Sequence, residues 1–170
     1  PELMKKYGDK ELNDSSAAFD NNYQTHTVPY IEDAHSITKQ YSITYLPIET
    51  LKEVKLKELA DYDTSDNVND FDVNGLNAWF DKENRAALST SIESALLLGE
   101  TEITFVINDN EFSIDIQSAK QMLAAVQRYA DGCFLVTEAH KRAIKGLTEA
   151  EAIVNYDFKT GYPTKVTFTL

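Results

Sequence analysis

At 170 residues the chain is sized for one ordinary domain with an appended arm, long enough to bury a full core. Its 42% hydrophobic and 11% aromatic content argue for a folded protein rather than a disordered one, and a net charge of -12 argues against nucleic acid or an anionic membrane as the main partner. Cys133 stands alone, so no internal disulfide forms, and no apolar run approaches the roughly 20 residues of a membrane span.

The start at Pro1 carries no signal-peptide pattern, as expected of a fragment or a processed product. Residues 1–50 hold Pro1, Pro29 and Pro47 and are rich in tyrosine, which predicts an N-terminal extended or β arm. Asn13 to Asn22 is small and polar without a period, and reads as loop. Ser36 to Leu46 alternates, with Ile37, Lys39, Tyr41, Ile43 and Tyr45 on one side, and predicts a single half-buried strand. Leu51, Val54, Leu59 and Tyr62 give one face of a short helix that ends before the acidic stretch Asp61 to Asp72.

Asn74-Gly75 is the preferred centre of a type I′ hairpin, because both turn residues need positive φ. A two-residue loop pairs Val73 with Leu76 and Phe71 with Ala78, and places Phe80 on the same face. Trp79 and Asn77 then project from the opposite face, beside Asp70 and Asp72. Asp81 is a good N-cap for a helix running to about Leu98, with Leu88, Ile92, Ala95 and Leu96 as its buried stripe and Gly99 as its stop. A second hairpin follows, with Ile103, Phe105 and Ile107 facing one way. Its turn, Asn108-Asp109-Asn110-Glu111, leads into Phe112, Ile114 and Ile116.

Ala119, Met122, Val126, Tyr129, Cys133, Val136, His140, Ala143 and Leu147 are then spaced three and four apart, and Leu123, Ala130 and Ile144 widen the stripe. The phase survives Asp131-Gly132, so one helix from Ser118 to Lys145 is predicted, with Gly132 as the place for a kink. Gly146 stops it. Thr148 and Glu151 form a capping box for a short helix, and Val166, Phe168 and Leu170 alternate in a final strand.

The chemistry-bearing residues are sparse. His140 lies on the long-helix seam without a metal-ligand partner at helical spacing, and reads as a packed histidine. Cys133 is two turns away, about 10 Å along the axis, too far for a Cys–His nucleophile pair. Asp61, Asp63 and Asp72, with Ser65, Asn67 and Asn69, imitate a calcium loop weakly. The loop's required Gly is replaced by Asp66, and its bidentate Glu by Asp72. A solvated acidic face is the simpler reading. No phosphate loop, serine elbow or HExxH is present, and no cofactor is implied. Trp79 is either covered by a helix, the more economical reading, or an interface anchor. Tyr23, Tyr30, Tyr41 and Tyr45 are contact candidates of the same kind, on an arm that orders against a partner.

The string Val73-Asn74-Gly75 with Trp79-Phe80-Asp81 resembles a bacteriophage domain of unknown function, and so do the spacings of Arg85, Leu88, Ile92, Ile103 and Phe105. Ala119-Lys120-Gln121-Met122-Leu123, Thr137 with His140-Lys141, and Tyr156-Asp157-Phe158 with Gly161-Tyr162-Pro163 continue the likeness over about residues 51–170. The family occurs in tail-fibre and tail-associated proteins, and the chain looks like versions from phages or prophages of gut Bacteroidales. The resemblance supplies no catalytic residues and implies a virion or tail-assembly component.

The expectation is an α+β protein: an arm over 1–50 and a module over 51–170, with two hairpins alternating with helices, one long C-terminal helix and a final strand. Its expected work is non-enzymatic and structural, in a phage tail or tail fibre assembled in the host cytoplasm. The expected partners are other tail or virion proteins, or further copies of the chain. Alternatives are a tail-fibre assembly chaperone that leaves the mature particle, and a carbohydrate- or calcium-binding adhesin.

Overall fold

The computed structural model describes residues 18–33 and 35–170, together with the backbone of 11–14. The class is α+β, and the chain divides into two compact units: Pro1–Lys55 with Gly146–Tyr156, and Leu56–Lys145 with Asp157–Leu170.

In the first unit, β4 (Ser36–Lys39) is central in a three-stranded sheet, parallel to β1 (Glu11–Asp14) and antiparallel to β3 (Tyr30–Glu32). A separate antiparallel ladder joins β2 (Gln24–Thr27) to β5 (Ser42–Tyr45). The single strand expected over Ser36 to Leu46 is therefore two strands in two ladders. Gln40 and Tyr41 lie in neither, and the Gln40 N–H donates to the Pro29 carbonyl at 3.0 Å. The period of two persists because both halves stay extended, and alternation does not encode which partner each half takes. The loop expected over Asn13 to Asn22 also gives way at its start, where Asn13 and Asp14 complete β1. Residues 15–17 lie outside the described residues.

Helix α1 (Ile48–Asp63) begins in this unit. Leu51, Ile153 and Tyr23 form its buried cluster, with Leu46, Ile48, Val54, Leu147, Ala150 and Val154 packed around them. Ile153 and Val154 belong to α4 (Ala150–Val154), a helix too short to stand without that burial. The arm is thus larger than residues 1–50, because the 146–156 segment completes its core. The expected capping box is not formed: Glu149, not Thr148, is the N-cap, and no side chain caps the helix.

The second unit is built on α3 (Ile116–Gly146), one helix of 31 residues. It starts two residues earlier than predicted because the Asp115 carboxylate takes the Ser118 N–H at 2.9 Å, an N-cap bond. Hairpin β6 (Phe71–Val73) and β7 (Leu76–Ala78) pairs as expected, Phe71 opposite Ala78 and Val73 opposite Leu76. Asn74 and Gly75 sit at φ 53° and 82°, the positive values a type I′ turn requires. The final strand, β10 (Thr167–Phe168), lies parallel to β6, so β6 is the centre of three strands. It is shorter than the predicted Val166-to-Leu170 run because β6 itself has three residues. Beyond it the Asn74 side chain takes over, accepting from the Leu170 N–H at 2.9 Å.

Helix α2 (Lys82–Leu98) has Asp81 as N-cap and Gly99 as a left-handed C-cap, both as expected. Hairpin β8 (Glu102–Ile107) and β9 (Asn110–Asp115) turns on Asn108-Asp109 alone, at φ 48° and 63°, so Asn110 and Glu111 belong to the strand. Ile92, Ala95, Ile114, Ile116, Ala119 and Met122 form one core cluster, and Phe71, Val73, Ala78, Ile107 and Val126 another. Phe71 meets Phe80 and Phe168 edge-on at 5.1 and 5.9 Å. Gly132 is a point of close approach: a Cβ there would lie 3.2 Å from the Pro163 ring.

Candidate interaction surface

The seam of α3 ends differently from its prediction. Past Cys133 the buried positions are Thr137 and Ile144, while Ala143 is exposed and His140 half-buried. Thr137 was invisible to an apolar pattern. Its hydroxyl donates to the Asp63 carboxylate and, its one proton spent, accepts from the Tyr162 hydroxyl at 3.0 Å. Nearby, the Tyr129 hydroxyl donates to the Val68 carbonyl at 2.8 Å, and His140 Nε2 lies 2.9 Å from the Thr160 carbonyl. Burial pushes Tyr129, Tyr162 and the Cys133 thiol above their ordinary values, which keeps each neutral. A raised thiol is a poor nucleophile. Among the described residues no buried side-chain nitrogen or oxygen lacks a hydrogen bond. The network ties α1 and the 157–166 segment to α3.

The acidic stretch is dispersed in the same way. Asp61 lies in α1, Asp63 serves Thr137, and Asp72 accepts from the Gly75 N–H at 3.0 Å. Asp70, expected on the solvent face, is buried and receives Lys165 Nζ at 2.6 Å. Asp61, Asp63 and Asp72 therefore do not converge. Among the described residues no three His, Cys, Asp or Glu come together to hold a metal ion.

The aromatic candidates separate. Trp79 is half-buried, edge-on to Tyr129 at 6.3 Å, with the Arg85 guanidinium 5.8 Å over its ring. The strand ends at Ala78, so the period of two no longer holds at Trp79, and the ring turns onto α3 rather than off the core. Tyr23 is buried, its hydroxyl accepting from Lys55 Nζ at 2.7 Å, which removes it from the surface. Tyr41 is half-buried and stacked with His26 at 6.2 Å. Tyr30 and Tyr45 are exposed.

What sequence periodicity missed is a set of large apolar side chains in water. Leu97 and Leu98, at the end of α2, are 89% and 77% exposed, and Leu96, expected in the buried stripe, is also exposed. Gly99 stops the helix there, and the sheet strands pack against Ile92 and Ala95 instead. Phe134 and Leu135 on α3 are 62% and 65% exposed, and Val106 on β8 is exposed too. For Leu97, Leu98, Phe134, Leu135 and Val106 the signal is phase, since each falls outside the seam or strand face of its own element, whereas Leu96 lies in phase.

Between α2 and β8 runs a groove of about 400 Å³, with Trp79, Phe80, Asn84, Leu88, Thr104 and Val106 among its walls. Ser91, Ile103 and Thr104 also line an adjoining hollow, which continues to Leu98, Glu100 and Glu102. Among the described residues no Lys or Arg lines either stretch.

By fold this is an α+β protein in which one long helix carries two hairpins and a second helix. The chain belongs to the family described as Domain of unknown function (DUF4376), whose model matches residues 50–160, from within α1 to His140's partner Thr160. No curated protein and no solved structure matches the chain. Among the described residues no helix is long and apolar enough to cross a membrane.

Proposed function

We propose that this chain is a non-enzymatic structural component of a phage tail or tail fibre, working through protein–protein contacts. The observation that carries the contact part is the set of exposed apolar side chains Leu97, Leu98, Phe134 and Leu135 on a protein of net charge -12. Such side chains are costly in water and are characteristic of surfaces that a partner covers. The dispersal of Asp61, Asp63 and Asp72 and the burial of Cys133 support the same reading. The phage assignment rests on the sequence resemblance. Its partners are other tail or virion proteins or further copies of the chain, and its location is the virion.

Quantitative mass spectrometry of purified particles tests this. A fixed copy number per particle is the expected result. Absence from particles, with capture on immature fibres, would make the chain an assembly chaperone. A monomer that binds no virion protein would overturn the reading.

A further inference from the structure

We propose that the free edge of β8 is a docking site for an extended, lysine-bearing segment of a partner protein, which adds to the β8–β9 ladder as a third strand. This deepens the contact role proposed above and rests on it, but not on the phage assignment. The two-residue turn makes Ile107 and Asn110 a hydrogen-bonded pair, and alternation then turns Phe105 and Ile103 inward to β9 as well. The Ile116 N–H bond to the Thr101 carbonyl at 3.0 Å continues the same phase. The main-chain groups of Glu102, Thr104 and Val106 therefore point away from β9, and among the described residues none of them has a protein partner.

The edge is not blunted by a lysine, a proline or a bulge, the usual means of protecting an open strand. It faces the groove instead. A strand seated there, about 4.8 Å from β8, would satisfy Thr104 and Val106 and lie over Leu88 and Phe105. At one end the Asn108 amide donates to the Asn77 carbonyl, tying the two hairpins together. At the other end the hollow bears Glu100 and Glu102, and among the described residues no basic one lies in its walls. That asymmetry selects the occupant: a peptide with alternating apolar side chains and a Lys or Arg at the acidic end.

The test uses the full chain and two synthetic hexapeptides of alternating valine and threonine, one flanked by lysines and one by glutamates. Trp79 is the single tryptophan and lines the groove, so its emission reports binding, and amide NMR locates it. The lysine peptide is expected to shift Trp79 emission and to protect the Thr104 and Val106 amides from exchange, and the glutamate peptide to bind at least about tenfold more weakly. Thr104→Pro removes one outward N–H and no ladder bond, so the fold stands while affinity falls about tenfold. Glu102→Lys is expected to erase the preference between the peptides.

No response to the lysine peptide at millimolar concentration, or equal binding by Thr104→Pro, would overturn the proposal. So would protection of Thr104 and Val106 by self-association, since the occupant would then be a second copy. Capture of virion proteins through Phe134 and Leu135, with β8 unoccupied, would keep the contact role and remove the strand site.

Discussion

The two hairpins of the second unit have the same two-residue turn and the same alternation, yet they end up in opposite situations. β6 and β7 receive β10 on one side, and Phe71 and Val73 are sealed against α3. Among the described residues β8 and β9 pair with each other alone, and β8 keeps an open edge beside the groove along α2. A hairpin's sequence therefore states its turn and inner face, while its neighbours decide whether it is a core element or a contact surface. The turns carry a trace of this difference. The sealed hairpin has Gly75 at the second turn position, whereas the open one holds Asp109 at positive φ there, at a small Cβ cost.

That contrast can be broken from its strongest side. Phe71→Ala should cost about 3–5 kcal/mol in chemical denaturation, from lost transfer energy and the cavity between Phe80 and Phe168. Val106→Thr on the open hairpin should change stability by less than about 0.5 kcal/mol. Equal losses at the two sites would show that β8 is buried as deeply as β6.

The next effect is alkaline loss of stability, which senses the polar packing behind the sealed hairpin. Cys133 and Tyr129 ordinarily release their protons near 9.0 and 10.0, and burial raises both in the folded protein. Above those values the unfolded chain binds fewer protons than the folded one, so stability falls as pH rises, and is fully present below them. Thermal melts from neutral pH upward should show the decline beginning above about pH 9, with Tyr129→Phe losing part of the slope. A flat profile would mean that these groups are not buried as described.

The turns give the smaller tests. Gly75→Ala places a Cβ at φ 82° and should cost about 1 kcal/mol, although nothing blocks the space. Asp109→Gly should stabilise the open hairpin by a few tenths of a kcal/mol or more, since glycine takes a φ of 63° without the Cβ cost that aspartate bears there. At Gly132 the ~1 kcal/mol helix preference for alanine opposes the 3.2 Å approach of Pro163, so Gly132→Ala should be near neutral, and clearly stabilising once Pro163→Ala removes the ring.

Much of the second unit was legible because its signals are local. Asn74-Gly75, Asp81, Gly99 and the seam from Ala119 to Cys133 each act within a few residues, through φ preference, capping or helical period. Failures came where a residue's fate depends on distant chain. Tyr23 looked like an arm's contact residue until Leu51 and Ile153 covered it, and Leu96 looked buried until α2 ended beyond the sheet's reach. Of the candidate surface, Trp79 was named in advance, whereas Leu97, Phe134 and Val106 were not, since exposure is a property of what fails to pack.

The amino-acid order by itself determined the α+β class, the Asn74-Gly75 turn and the single long helix, because backbone sterics and hydrophobic period are short-range forces. Tertiary structure alone decided that Thr137 is sealed by Asp63 and Tyr162, that residues 146–156 complete the first unit, and that β8 has no second strand partner among the described residues. Those outcomes depend on which surfaces meet across long stretches of chain, and no local preference specifies that meeting.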